Sequence, residues 1–271
     1  MKFYVLDNGK EILDKSLMIA ENSIATIDNK NPGTEWIDIP IHTFLIDHPD
    51  GYILFDTAGD YNWKEHWPEL ISSRSPYIFT EDQYLPNSLK KLHVSPEDIK
   101  YVIISHLHAD HAGCLSMFKN ATVYVNNTEL VTTLRQYVLG EDLNVHVPTD
   151  IKAWLDAKLH WRPVTDDERE IELVHGVKIL NFGSGHSWGM LGMHVSLPSG
   201  KNFLAVADAI YLEGNIHPSL NFPSIVYDTI GYTRTVKFIQ DYAAKTGAQI
   251  LYGHDIKQFQ SLIHSTEGFY D

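Results

Sequence analysis

The chain has 271 residues, of which 44% are hydrophobic and 21% charged, as in ordinary globular proteins with a sizeable core. No apolar run approaches the roughly 20 residues of a membrane helix, and residues 1–15 lack the apolar region of a signal peptide. The net charge of −14 argues against nucleic acid as a partner. We therefore expect a cytoplasmic protein with no membrane association, and the single cysteine, Cys114, agrees with a reducing compartment.

The first predicted elements are strands. Residues 39–47 alternate large apolar side chains, and residues 51–60 follow a Pro-Asp-Gly turn, which predicts a hairpin. Residues 61–86 are irregular and rich in aromatic side chains, and are predicted to form a long loop with short helical pieces. A short helix over 88–92 follows, and the SPED sequence at 95–98 is typical of the start of another element.

The middle of the chain alternates strands and helices. YVIIS (101–105) predicts a buried strand, followed by a helix from about His111 to Lys119. TVYVN (122–126) predicts another strand, and the helical spacing of apolar residues predicts a helix over 128–139. Residues 140–163 are predicted to be a second loop-rich segment around one short helix.

The last part of the chain repeats the order of strands followed by a helix. Predicted strands cover 171–180, 190–198 and 202–208, a helix covers 227–247, and a buried strand covers 248–255. No long linker or low-complexity tract interrupts the chain, so we expect one domain over 1–271. This order predicts an α/β sandwich, with two sheets inside and helices outside.

One short motif carries most of the chemical signal. SHLHADHAGC (105–114) places His106, His108, Asp110 and His111 directly after an apolar strand. Residues i and i+2 of an extended segment point to the same side, so the first two imidazoles can bind one ion. Because the chain then turns into a helix, the other two groups face a different point. The motif predicts ligands for two neighbouring metal ions.

Three further candidates lie at later strand ends. His186 follows a glycine-rich turn, Asp208 ends the strand FLAVAD, and His254 ends the strand ILYGHD. Each position alone would also suit an ordinary core residue. Together they complete two sets of three ligands with one carboxylate left to be shared, as a dinuclear hydrolase needs.

This pattern resembles the metal signature of the metallo-β-lactamase superfamily, and within it the N-acyl-homoserine lactonases, from FYVLDNG to the C-terminal STEGFYD. The resemblance implies an αββα sandwich with two mixed sheets flanked by helices. It implies that one metal is held by His106, His108 and His186. The other metal would be held by Asp110, His111 and His254, and Asp208 would bridge the two ions.

The resemblance also assigns roles to two residues outside this set. Asp56 in ILFDTAGD matches a strand-ending Asp-Thr-Gly element, with Ala58 where glycine is usual, and would orient a ligand histidine. Tyr211 follows Asp208 by three positions, and its phenol would donate a hydrogen bond to the lactone carbonyl oxygen. A buried structural tyrosine is the alternative interpretation of Tyr211.

The implied reaction is the opening of a lactone ring by a hydroxide that bridges two divalent ions. Asp110 would relay a proton to the leaving oxygen. Zinc suits these nitrogen and oxygen ligands best, although cobalt, manganese or iron fit similar sites. The small side chain of Ala109 would border the pocket and leave room for an acyl chain, which aromatic residues of 61–86 and 140–163 could enclose.

Several other functions remain open from the sequence. A glyoxalase II-like thioesterase or a broad lactonase would use the same metal ligands. An exported β-lactamase typically has cysteine at the bridging position, and a tRNA-processing nuclease would need a basic surface. A degenerate, non-catalytic metal-binding module would have lost ligands, whereas all seven positions are filled. A homodimer is among the states that the sequence allows.

Overall fold

The computed structural model describes all 271 residues. The strands are β1 (Lys2–Asp14), β2 (Trp36–Asp47), β3 (Tyr52–Phe55), β4 (Tyr77–Ile78), β5 (Ile99–Ile103), β6 (Thr122–Asn126), β7 (His160–Val164), β8 (Glu170–Val174), β9 (Val177–Gly183), β10 (Met190–Ser196), β11 (Asn202–Ala207) and β12 (Gln249–Tyr252). The helices are α1 (Trp63–His66), α2 (Glu69–Ser72), α3 (Leu85–Lys91), α4 (Ala109–Ala112), α5 (Asn127–Leu139), α6 (Pro148–Ala157), α7 (Thr229–Thr246) and α8 (Ile256–Ser261). None of these helices combines the length and apolar character needed to span a bilayer.

The strands form two mixed sheets. The first sheet has the order β4-β1-β2-β3-β5-β6-β7, with antiparallel pairs up to β3 and parallel pairs from β3 onwards. The second has the order β12-β11-β10-β9-β8, and only β11 and β12 are parallel. The predicted sandwich of two mixed sheets flanked by helices is therefore confirmed.

Apolar layers fill both faces of the first sheet. Phe3, Phe44 and Phe55 of the first sheet and Ile179 and Met193 of the second belong to one continuous buried core. The opposite face of the first sheet packs under α3, α5 and α6 in a separate buried cluster. Buried strands of this kind hold their carboxyl ends rigidly, and those ends carry the candidate ligands.

The predicted hairpin is confirmed, since β2 and β3 pair antiparallel with Phe44 opposite Phe55. Two other predictions were wrong. The helix expected from His111 to Lys119 is only α4 followed by a 3₁₀ turn, because the backbone leaves the α-helical region at Cys114 (φ −90°, ψ 5°), directly after Gly113, which packs against the neighbouring loop. A Cβ atom there would lie 2.3 Å from the backbone nitrogen of Asp60.

The predicted loop over 140–163 was also wrong at its end, where β7 pairs in parallel with β6 along the sheet edge. The strand contains Pro163 and has mostly half-exposed side chains, so it lacks the apolar pattern of an inner strand. Sequence periodicity is weak for such edge strands.

Candidate metal centre

Three histidines and one carboxylate oxygen form what we call the first donor set. His106 and His108 follow β5, His186 follows β9, and Asp208 follows β11. His186 Nε2 lies 3.2 Å from His106 Nε2, 2.9 Å from His108 Nδ1 and 3.3 Å from Asp208 Oδ2. Four potential ligand atoms from three separate strand ends thus converge on one point.

The second donor set consists of Asp110, His111 and His254 together with the other oxygen of Asp208. Asp208 Oδ1 lies 3.1 Å from His111 Nε2 and 2.9 Å from His254 Nε2. Asp110 Oδ2 lies 3.2 Å from His111 Nε2 and 3.5 Å from His254 Nε2. Asp208 is therefore shared, because each of its oxygens faces a different set.

These spacings fit metal coordination. Zinc–nitrogen and zinc–oxygen bonds of about 2.0–2.2 Å in a tetrahedron place neighbouring ligand atoms roughly 3.3–3.6 Å apart. The distances from His186 Nε2 to its neighbours run from 2.9 to 3.3 Å, and His106 Nε2 lies 3.5 Å from Asp208 Oδ2. Only a small outward movement of the imidazoles separates this arrangement from that ideal.

The tautomers also suit metal binding. The Nδ1 atoms of His186, His254 and His106 lie 2.9–3.0 Å from the Ile225 carbonyl, the Pro40 carbonyl and the Ser105 hydroxyl, respectively. Each carbonyl can only accept, and Ser105 already donates to Asp56, so each Nδ1 carries the proton. The Nε2 lone pairs then face inward, as metal ligation requires.

Two buried polar atoms of the centre suit a bound cation. His111 Nε2 and Asp208 Oδ1 are buried and have no hydrogen bond. Such groups are costly in a folded protein unless something pairs with them. Burial lowers the pKa of His106 and His108, so both are neutral near pH 7 and able to ligate. The residues fit two divalent cations bound side by side.

Asp56 lies directly behind the second donor set. Its Oδ2 accepts a hydrogen bond from His111 Nδ1 at 2.8 Å, and its Oδ1 accepts one from the Ser105 amide at 2.7 Å. The backbone is left-handed at Asp56 (φ 62°), Ala58 (φ 54°) and Ala207 (φ 44°), all beside the centre. For residues other than glycine this conformation costs about 1–2 kcal/mol. The positive φ explains why glycine would suit the place of Ala58.

Glu129 connects the two loops of the first donor set and was not among the residues predicted from the sequence. This buried carboxylate accepts hydrogen bonds from the Leu107 amide (3.0 Å), the Ser187 hydroxyl (2.6 Å) and the Gly189 amide (3.2 Å). It also lies 3.0 Å from His146 Nε2. Burial raises the pKa of Glu129, but His146 and these donors hold it below its usual value.

A signal for Glu129 was present in the sequence but had a more common interpretation. Asn126 and Glu129 stand at the start of α5, where Asn-x-x-Glu is a usual helix cap. Asn126 does cap the helix, since its Oδ1 accepts hydrogen bonds from the backbone amides of Thr128 and Glu129. The Glu129 side chain instead points into the protein and accepts hydrogen bonds from the loops that carry the first donor set.

Tyr211 lies between the donor sets, with its ring centroid 5.2 Å from that of His186 and 5.4 Å from that of His254. Its hydroxyl is 3.2 Å from His186 Nδ1. Because that nitrogen donates its proton to Ile225, it cannot accept the phenol proton. Burial, with Asp208, raises the pKa of Tyr211, so the phenol stays protonated and can donate to a substrate.

A cavity of about 60 Å³ opens onto the centre. Its lining residues come from both donor sets and from an aliphatic wall: Glu11, Leu13, Leu17, Met18, Ile39, Ile71, Ser75, His108, Ala109, Asp110, Val145, Asp208, Tyr211, Ile225 and His254. Ala109 is buried in this lining, where the sequence analysis placed it. A more open cavity of about 420 Å³ adjoins it at His108 and is bounded by Trp188 and Tyr227.

The aromatic residues that could have enclosed an acyl chain do not line the small cavity and pack in the protein interior, which was the alternative interpretation for each of them. Trp63, Trp67 and Tyr77 pack against one another in their own buried cluster, and Trp154 and Trp161 belong to the core outside the first sheet. The wall of the small cavity is aliphatic because it is formed by side chains of β1, β2 and nearby loops. Trp188 and Tyr227 went unnoticed because they are isolated aromatics in loops.

Comparisons with known proteins agree with this geometry. A model of the metallo-beta-lactamase superfamily matches residues 36–254. An N-acyl homoserine lactonase, AiiB, of Agrobacterium fabrum is 39% identical over all of this chain and 99% of its own length. An N-acyl homoserine lactonase of Bacillus thuringiensis is 28% identical over 96% of this chain and 95% of its own.

Among solved structures, an N-acyl homoserine lactone hydrolase with N-hexanoyl-L-homoserine bound at its catalytic metal centre superposes with a TM-score of 0.80. It is 24% identical, and the match covers 99% of this chain and 98% of that one, which supports the fold. The chain therefore belongs to the metallo-beta-lactamase superfamily and, within it, to the sequence family that includes these N-acyl homoserine lactonases.

Proposed function

We propose that this protein is a metal-dependent hydrolase that opens the lactone ring of N-acyl-homoserine lactones. The observation that carries the proposal is the shared carboxylate of Asp208, which divides its oxygens between two donor sets at the wall of a cavity. The full-length similarity to N-acyl homoserine lactonases supports the substrate class.

His106, His108 and His186 would hold one ion, Asp110, His111 and His254 the other, and Asp208 both. When bound, the ions would supply Lewis-acid chemistry, which lowers the pKa of water toward 7 and polarises a carbonyl oxygen. We propose zinc as the metal, because the donors are imidazoles and carboxylates in closely packed groups of four.

The side chains around the cavity divide the remaining work. Tyr211 donates its phenol proton toward the lactone carbonyl oxygen, where negative charge grows as water adds to the carbonyl carbon. Asp110 accepts the proton that the water loses and returns it to the ring oxygen as the ring C–O bond breaks. Asp56 keeps the imidazole of His111 in one orientation, and Ala109 leaves space beside the reacting ring.

The proposal is tested by metal analysis together with proton release at constant pH. Protein loaded with two zinc ions per chain is offered N-acyl-homoserine lactones of increasing acyl length, a glutathione thioester and a β-lactam. We expect one proton released per homoserine lactone opened, and much slower release from the other two classes. No release from any N-acyl-homoserine lactone would overturn the proposal.

Domain extent, cellular location and oligomeric state complete the proposal. We propose one catalytic domain over residues 1–271, a cytoplasmic location and a small-molecule lactone as the partner. Oligomeric state is measured directly by light scattering on the metal-loaded protein, where a homodimer would double the mass of 30.9 kDa.

A further inference from the structure

One carboxyl group in the cavity has no place in the reaction described above. Glu11 lies on β1 and is 6% exposed, and its side chain lines the cavity beside Asp110, Tyr211 and His254. It belongs to neither donor set. The residue before it, Lys10, points to the surface and forms an ion pair with Asp38, so the strand's alternation turns Glu11 inward.

The surroundings of Glu11 offer it little compensation. No lysine or arginine forms an ion pair with the carboxyl group, and its neighbours in the cavity lining include the carboxylate of Asp110 and the hydroxyl of Ser75. The wall around it is aliphatic, with Leu13, Ile39 and Ile71 in the same lining. A carboxyl group buried in this way destabilises the fold unless a partner satisfies it. Because Glu11 lines the substrate cavity and has only Ser75 as a neutral hydrogen-bond partner, we look to the substrate for a further partner.

The missing partner must be a hydrogen-bond donor. In an N-acyl-homoserine lactone the amide nitrogen is attached to the ring carbon next to the reacting carbonyl carbon. The amide nitrogen is therefore only two bonds from the reacting carbon. When the carbonyl oxygen faces Tyr211, the N–H group must lie in the same cavity. Glu11 shares the cavity wall with Tyr211 and has an acceptor oxygen whether or not it is ionised.

We propose that Glu11 accepts a hydrogen bond from the substrate amide N–H and thereby selects N-acylated lactones over lactones without an amide. This inference rests on the proposed lactonase function and adds the residue that recognises the amide. Glu11 takes no part in bond making or breaking. A buried polar group of this kind discriminates strongly, because a substrate without the donor leaves it unpaired.

The test combines a change in the protein with a change in the substrate. Wild type, Glu11→Leu and Glu11→Gln are assayed with N-hexanoyl-homoserine lactone and with an analogue in which a CH₂ group replaces the amide N–H. We expect wild type to prefer the amide by about 10–100-fold in kcat/KM, the range of one hydrogen bond to a charged group. Glu11→Leu should abolish this preference, whereas Glu11→Gln, which keeps an acceptor oxygen, should retain most of it.

Controls separate recognition from damage to the centre. Glu172→Leu, an exposed glutamate on β8, should leave both rates unchanged. Metal content and melting temperature are measured for each variant. If Glu11→Leu does not fold, the preference of wild type for the amide over the CH₂ analogue, together with its retention in Glu11→Gln, still tests the inference.

Two results would overturn the inference. One is a wild type that hydrolyses both substrates equally well. The other is an equal loss for both substrates in Glu11→Leu, which would mean that Glu11 acts through the metal centre or the fold. Failure of the proposed function is distinguishable, because wild type would then release no protons from N-hexanoyl-homoserine lactone at all.

Discussion

The two donor sets differ in what supports them. In the first set, neutral groups hold the outer nitrogens: the hydroxyl of Ser105 and the carbonyl of Ile225. In the second set, the carboxylate of Asp56 stands behind His111, and Asp110 is itself a donor. The second set therefore surrounds its ion with more negative charge, while the first depends on loops held in place by hydrogen bonds.

This difference suggests two ways of building a binding site. Charge attracts a dication strongly in a buried, water-poor site, so the second set should bind its ion more tightly. Neutral imidazoles bind through geometry, so the first set should respond more to the position of its loops. The following changes test this comparison, beginning with the largest expected effect.

Asp208→Asn should damage both sets at once. The amide keeps the shape of the carboxylate but removes its charge and one of the two oxygens that the sets share. Removing a residue that hydrogen-bonds a metal ligand typically lowers activity about 10–100-fold. We expect a larger fall than this in kcat/KM for N-acyl-homoserine lactones. Metal analysis should find fewer than two ions per chain. Asp241→Asn, a surface aspartate paired with Lys237, is the matched control, and full metal content in Asp208→Asn would contradict the shared role.

Tyr211→Phe should change the reaction and leave both sets intact. The phenol belongs to neither set, although its ring lies against His186 and His254. We expect a fall of about 100-fold in kcat/KM, toward the lower limit for loss of an oxyanion donor. Metal content should stay at two ions per chain. An unchanged kcat/KM would leave Tyr211 as a structural residue only.

Asp56→Asn should weaken the second set more than the first, which Asp56 reaches only through the Ser105 hydroxyl. The carboxylate accepts from His111 Nδ1 and from the amide and hydroxyl of Ser105, and an amide side chain cannot accept all three. We expect a loss of about 10–100-fold in affinity for one of the two ions, measured by titration with a chelator. Equal weakening of both ions would show that the two sets do not act separately.

Glu129→Gln should weaken the first set by a smaller factor. The carboxylate accepts from both ligand-bearing loops, at Leu107, Ser187 and Gly189. In glutamine an NH₂ group, which only donates, replaces one of the two carboxylate oxygens. One loop therefore loses its acceptor. We expect about a 10-fold loss in affinity for one ion, different from the ion affected by Asp56→Asn. If both variants release the same ion first, the comparison is wrong.

His42→Phe should have the smallest effect on the metal centre, and it should change the pH dependence of stability instead. His42 packs between Phe44 and Phe259, its Nδ1 has no hydrogen bond, and burial, with His254 and His111, lowers its pKa to about 3. Below pH 6.5 the unfolded chain binds a proton at His42, whereas the folded chain binds it only below about pH 3. The unfolded state therefore gains stability relative to the folded state as pH falls. The loss is about 2 kcal/mol at pH 5.

The phenylalanine variant does not titrate at this position. Its unfolding free energy should therefore decline less than that of wild type between pH 7 and pH 5, as measured by denaturant unfolding with metal present. Comparing the two proteins at each pH removes the pH dependence of metal binding that they share. Parallel curves would show that His42 is protonated in the folded protein.

Much of the centre could be predicted because its ligands follow strands. Buried strands have recognisable apolar runs, and His106, His108 and Asp110 are close in sequence as well as in space. The more distant His186 and His254 could be predicted for the same reason, since each follows a strand rich in apolar residues. The order of strands and helices also predicted the two-sheet sandwich correctly.

The supporting groups could not be predicted in the same way. Glu129 has the sequence context of a helix cap, and Glu11 lies in a strand whose pattern does not tell which side faces a cavity. The role of each depends on what packs opposite it. The same applies to the cavity wall, where aliphatic residues stand in place of the expected tryptophans.

The sequence by itself determined which residue types could bind metal and where along the chain the strands end, because ligand chemistry and hydrophobic periodicity are local properties. Only the tertiary structure decided that Asp208 divides its oxygens between two sets, that Glu129 joins two loops, and that Glu11 faces the substrate cavity. These facts depend on distances between segments up to 243 residues apart in the chain, which are set by how the two sheets pack together.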